Sequence, residues 1–207
     1  MKKLLVGLVL AAVIPLQACA QELWKEGTHY RVVNDTATSQ AQVTEFFSFW
    51  CPGCYRFEPL VDQIKAKLDD DVKFNKVHVN FMQFTGPDVQ DDVTRAMMIA
   101  RAVKQEDALN AAIFNYIHQQ RAAITGLDDV RRIFVVNGVD GAEFDKLATS
   151  FGVNSMFQKN NKEIEKYRQY LTGVPNFIVN GKYQATFTRD MTPDDIVDLI
   201  VWLSKQK

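Results

Sequence analysis

Cysteine, histidine and positive charge are all scarce in this chain, and each shortage closes a class of function. Cysteine occurs at positions 19, 51 and 54 of the 207 residues and nowhere else. The histidines, His29, His78 and His118, stand far apart and show no ligand spacing. Structural zinc sites draw on spaced pairs of Cys or His, and a lone Cys-x-x-Cys lacks its partner pair, so no metal centre is expected. The formal net charge is −1, which gives a nucleic acid nothing to bind. No repeat, low-complexity tract or flexible linker divides the chain. The apolar run at residues 4–16 is too short and wrongly flanked to span a membrane.

That run reads instead as a signal peptide, residues 1–20. Lys2 and Lys3 supply a basic start, and Ala18-Cys19-Ala20 matches a small-x-small cleavage site. A lipoprotein signal is the alternative, because Leu16-Gln17-Ala18-Cys19 places a cysteine where lipid could attach, but Gln17 fits it poorly. Cleavage after Ala20 removes Cys19 and leaves Cys51 and Cys54. In an oxidising compartment such a pair is free to form a disulfide. As a structural staple it would close too small a loop to remove much unfolded-state entropy. Thiol–disulfide exchange is the leading reading.

The surroundings of the pair suit that chemistry. Residues 42–49, QVTEFFSF, are short, apolar and rich in β-branched and aromatic side chains, which predicts a strand buried on both faces. Cys51 follows at a helix N-cap position, Pro52 takes the favoured first helical position, and Phe57, Leu60, Val61, Ile64 and Leu68 mark an apolar helical face. Residues 72–81 predict a second central strand, so the unit is β-α-β with a parallel crossover. From about residue 88 to 157 the pattern is helical, with segments through 93–104, 108–118, 130–136 and from Asp140 through Phe151. A longer helix is expected at about 155–171. Strands at 176–179 and 182–187 flank Asn180-Gly181, a two-residue hairpin turn, and Thr192-Pro193-Asp194-Asp195 caps a last helix. The helical block is an insertion within one α/β fold.

Three stretches, FFSFWCPGCYRFEP, KVHVNFM and GVPNFIVNGKYQ, resemble the DsbA family, bacterial periplasmic thiol oxidases built on a thioredoxin fold with a helical insert. The likeness runs over essentially all of the chain after the leader. It implies a thioredoxin-fold domain in two parts, residues 21–81 and 163–207, around an inserted helical domain at 82–162. It also implies that Cys51 is the exposed sulfur attacked by substrate and Cys54 the more buried resolving thiol. At an N-cap the Cys51 sulfur would face the backbone N–H groups of Gly53 and Cys54 and the positive end of the helix dipole, which favour a thiolate.

The remaining site residues follow from the same resemblance. Val174-Pro175 is expected to be cis, to face the cysteine pair and to help receive an extended substrate. Glu45, inside the apolar strand, and Lys76, in the neighbouring one, are expected to form a buried ion pair beneath the thiols that tunes Cys54 and relays protons. Gly53 departs from the family, which usually carries His there, so the positive charge that helps hold the thiolate is missing. No bound cofactor is expected. The implied partners are reduced, unfolded exported polypeptides and a membrane quinone reductase of the DsbB type. A periplasmic monomer is expected. An isomerase, reductase or client-specific oxidase of the same fold remains an alternative, as does a chaperone-like peptide binder whose thiols are incidental.

Overall fold

A computed structural model describes residues 23–206. The leader, its cleavage site and Cys19 lie outside the described residues. The centre is a mixed five-stranded sheet formed by β1 (Tyr30–Val32), β2 (Gln42–Phe47), β3 (Lys73–His78), β4 (Asn176–Val179) and β5 (Tyr183–Ala185), in the order β1-β5-β4-β2-β3. β2 and β3 run parallel, joined by α1 (Pro52–Lys67), and the other neighbours are antiparallel. Between β3 and β4 come α2 (Pro87–Ala102), α3 (Glu106–His118), α4 (Leu127–Val136), α5 (Gly141–Ala148) and α6 (Phe151–Tyr167), and the chain ends with α7 (Pro193–Ser204). The fold is thioredoxin-like, with its helical addition after the β2-α1-β3 unit. Among the described residues, no helix is long and apolar enough to cross a membrane.

β2 is central because almost every residue in it can be buried. Alternate side chains leave opposite faces of a strand. Val43 therefore packs with Val61 and Ile64 of α1, while Phe46 packs with Ile164 and Tyr167 of the α6 side. A further cluster runs from Phe47 and Phe49 through Cys51 and Cys54 into Met97, Phe114, Phe134 and Phe157 of the helical block. The thiol pair thus sits on a core shared by the sheet and the helices. Phe49 and Phe114 have centroids 4.9 Å apart, and ring pairs of this kind contribute about 1 kcal/mol beyond their buried area.

Several boundaries differ from the sequence reading. β1 carries no usable sequence signal, being three residues long and partly exposed; it exists because it pairs with β5. The expected fourth helical segment ends at Ala148, and the next begins at Phe151 rather than Ser155. Ser150 is the reason: its hydroxyl accepts from Val153 N–H at 3.2 Å and starts α6 a turn early. Beyond Tyr167 the helix tightens into a single 3-10 turn, Arg168–Tyr170. Asn180 and Gly181 have φ of 51° and 64°, the left-handed pair that a two-residue hairpin requires. Thr192 and Asp195 form a reciprocal capping box at α7.

Candidate active site

The end of β2 delivers Cys51 to the N-terminus of α1. Cys51 is extended, with φ −82° and ψ 113°, and Pro52 begins the helix where its missing N–H leaves no unmet bond. The Cys51 sulfur accepts from Cys54 N–H at 3.3 Å; Cys54, rather than Gly53, supplies the capping donor. The Cys51 thiol in turn donates to the Val174 carbonyl at 3.5 Å. The Val174–Pro175 peptide is cis. A Cβ placed on Gly53 would lie 3.5 Å from the Cys51 sulfur and 3.9 Å from Pro175 Cδ, so the proline, the glycine and the sulfur border one small space.

The two sulfurs differ less in exposure than the sequence reading implies. Cys51 is 7 % exposed and Cys54 fully buried, so Cys51 is the more accessible of the two but is itself shielded. Its environment is crowded by Val174 and Pro175 on one side and by its own helix turn on the other. Burial pushes the Cys54 thiol far above the ordinary range; the Ser48 backbone opposes this, while Cys51 and the charge of Glu45 add to it.

Glu45, whose charge reaches Cys54, belongs to a charged cluster. The parallel register sets Glu45 directly beside Lys76, and Lys76 Nζ lies 2.7 Å from Glu45 Oε2. The same ammonium group donates to Glu58 Oε1 at 2.7 Å and sits 4.6 Å from the centre of the Phe47 ring. Glu45 and Lys76 are buried, whereas the Glu58 side chain is 28 % exposed. Neither Glu45 oxygen makes a well-aligned hydrogen bond, and the charge of Glu45 contributes more to its hold on Lys76 than hydrogen bonding does. Burial alone would lower the Lys76 pKa, but Glu45 and then Glu58 outweigh it and keep the group cationic. Burial raises the Glu58 pKa, against the pull of Lys76.

The chain matches the model of a DSBA-like thioredoxin domain over residues 42–196. It is 36% identical to the thiol:disulfide interchange protein DsbA of Escherichia coli K12 over the full length of both chains. It is 35% identical to that of Haemophilus influenzae, covering 95% of this chain and 94% of that one.

The chain belongs to the DsbA family.

Solved structures agree. The disulfide oxidoreductase DsbA of Proteus mirabilis superimposes with a TM-score of 0.76 at 26% identity, covering 88% of this chain and 96% of that one. The same Proteus protein has been solved as a cysteine-to-serine variant with a non-covalently bound peptide, PWATCDS. This DsbA-family chain is accordingly a thiol:disulfide oxidoreductase.

Of the residues singled out from sequence, Cys51, Pro52, Gly53, Cys54, Val174 and Pro175 come together at the head of α1, while Glu45 and Lys76 pair with each other, Glu45 near enough for its charge to raise the Cys54 pKa. Glu58 is the member of the site that sequence reasoning misses. Its signal is available: it stands one helical turn after Cys54, so both face the same side of α1, and an acid in that position points at whatever lies under the thiol. His78 is also fully buried, its Nδ1 2.7 Å from Thr94 Oγ1, and burial lowers its pKa to about 3. It is a neutral core residue rather than a ligand.

Proposed function

We propose that this oxidoreductase donates a Cys51–Cys54 disulfide to reduced polypeptides exported to the periplasm, with Cys51 as the sulfur they attack. The observation that carries the reading is the asymmetry of the pair. Cys51 is the sulfur bordered by Pro175 and capped by a backbone N–H, while Cys54 is fully buried. A substrate thiolate attacks Cys51 Sγ, forming a mixed disulfide and expelling Cys54 with the electron pair of the broken S–S bond. The Cys54 site disfavours a charge, so that sulfur takes up a proton. Glu58, the member of the charged cluster that reaches solvent and holds a proton more readily than an ordinary carboxyl, is placed to pass one inward.

A second substrate thiolate then attacks the substrate sulfur of the mixed disulfide. Cys51 leaves toward the Cys54 N–H and the positive end of α1. Two electrons have passed from the substrate thiols to the protein, which now carries a dithiol. Reoxidation is assigned to a membrane quinone reductase of the DsbB type, on family grounds. The Proteus relative has been solved with a bound peptide, which supports a polypeptide client for this chain; an extended client would pair in strand-like fashion with the backbone beside Pro175. We read residues 82–162 as an inserted helical domain and the protein as a monomer.

Single-cysteine variants test the assignment. Cys51→Ser should abolish oxidation of a reduced two-thiol polypeptide, and Cys54→Ser should accumulate mixed disulfides through Cys51, read by intact mass under non-reducing conditions. Trapping through Cys54 in the Cys51→Ser variant, at a rate matching the parent, would reverse the roles.

A further inference from the structure

The last turn of α3 grips both ends of the Cys51–Cys54 turn. His118 Nε2 lies 2.8 Å from the carbonyl of Phe49, two residues before Cys51. A carbonyl only accepts, so Nε2 carries a proton and donates it. The same imidazole stacks on Tyr55, the residue after Cys54, with centroids 4.9 Å apart and planes at 10°. Gln119 donates to the Tyr55 hydroxyl at 2.7 Å, and that hydroxyl lies 3.4 Å from Asn115 Oδ1. One helix end therefore holds the backbone that enters the thiol pair and the side chain that leaves it. The contacts span 69 and 64 positions of sequence, so they join the helical block directly to the redox turn.

We propose that His118, assisted by Gln119, is a positioning residue that clamps the Cys51–Cys54 turn and stabilises the dithiol form more than the disulfide form. The inference rests on Cys51 and Cys54 being the exchanging pair. When the disulfide is closed, a covalent bond already fixes the spacing of the two residues. When it is open, that spacing depends on non-covalent restraints, and both cysteines are free in the arrangement described here. A clamp that is redundant in one form and needed in the other shifts the equilibrium between them, because only differential stabilisation moves a two-state balance. The relevant exchange is protein dithiol plus glutathione disulfide giving protein disulfide plus two glutathione thiols. Two electrons and two protons pass from the protein to the glutathione. Stabilising the dithiol holds this reaction back and makes the protein the stronger oxidant.

His118→Phe tests the proposal, because it keeps a ring for Tyr55 and removes the donor to Phe49. The equilibrium constant with glutathione should move toward the protein disulfide by about two- to fivefold, the part of one hydrogen bond's net value that differs between the forms. Urea unfolding should show the dithiol form losing more stability than the disulfide form. His118→Gln, which can still donate to the Phe49 carbonyl, should return the constant to within about twofold of the parent. A contact that merely supports the scaffold would weaken both forms equally and leave the constant unmoved, and that result overturns the clamp. So does a constant that moves equally in His118→Phe and His118→Gln. If His118→Phe does not fold, Gln119→Leu at the rim of the same contact carries the same expected direction, and an unmoved constant there is the refutation. Loss of all exchange in Cys51→Ser is a separate outcome, so failure of the clamp and failure of the cysteine assignment are told apart.

Discussion

Gly53→His asks how much of the redox balance is set by one side chain. The residue lies in the first turn of α1, half-buried, with a Cβ position 3.5 Å from the Cys51 sulfur and 3.9 Å from Pro175 Cδ. Both are ordinary contacts, so a side chain can start from this position without displacing the turn. A charge about 5 Å from a thiolate is worth roughly 0.8 kcal/mol in water and about 3 kcal/mol at the effective dielectric of a protein surface. For a half-buried position an intermediate value of about 1.4 kcal/mol is the working figure, tenfold in an equilibrium constant. If it falls wholly on the dithiol form, the protein becomes more oxidising by about 30 mV. The effect requires a protonated ring. It also requires an ionised sulfur, so it should be largest where thiolate and imidazolium coexist, fading as pH rises through the value the ring takes beside the sulfur and again as acid protonates the sulfur. The assay is equilibration with glutathione across that range, with Gly53→Gln as a neutral control of similar reach. Equal shifts in the two variants, or a less oxidising Gly53→His, would refute the electrostatic argument.

The other predictions concern buried and hydrogen-bonded titratable groups. Glu45→Gln should cost about 2–3 kcal/mol in urea unfolding, less than for an isolated buried pair because Lys76 keeps Glu58. It should also lower the titration of Cys54 slightly, since burial, the main cause of its raised pKa, is untouched while a neighbouring negative charge is lost. His78 has a folded pKa of about 3 against an ordinary 6.5, so between those values the unfolded chain binds a proton that the folded one refuses. Stability should fall as pH drops through that window, and His78→Phe should flatten the dependence in a pH series of unfolding curves. Asp129 accepts from the backbone and hydroxyl of Thr125 at 2.7 Å each, and these bonds hold its carboxyl below the ordinary range. Asp129→Ala should cost about 1 kcal/mol above pH ~4, a difference that disappears as acid protonates the parent carboxyl.

The parts of this molecule that can be read from sequence are those whose cause is local. A buried strand announces itself by composition, Cys-Pro at a helix start by capping chemistry, and Asn180-Gly181 by the left-handed backbone that only such residues accept readily. Even the meeting of Glu45 and Lys76 follows from two strands predicted to run side by side, once an acid inside an apolar strand is required to have a partner. What stays hidden depends on tertiary partners. β1 has no hydrophobic pattern of its own and exists through β5. The start of α6 turns on one serine whose capping role competes with a longer periodic pattern. Ligand spacing, the test that sequence offers for His118, detects metal sites but not a single bond to a distant carbonyl.

In the proposed exchange the two sulfurs meet opposite demands, and the order of the sequence supplies both. The first half of exchange expels Cys54, so burial there raises the cost of the leaving thiolate and makes proton supply part of the step. The second half expels Cys51, where a backbone N–H at 3.3 Å and the end of α1 are already aligned to receive charge. A more polar pocket around Cys54 would ease the first step, yet it would also stabilise a thiolate able to attack Cys51 and reverse the transfer before the client's second thiol arrives. Burial of Cys54 is therefore more than a packing consequence of the shared core. In the proposed exchange it would slow the backward reaction and leave the mixed disulfide time to be resolved by the client. On that reading the charged cluster would have to lower the barrier of the forward step without making Cys54 permanently ionised. Lys76 held between two carboxylates meets that requirement better than a lone lysine would, because its positive charge is largely spent on Glu45 and Glu58 and does not draw a standing thiolate onto Cys54.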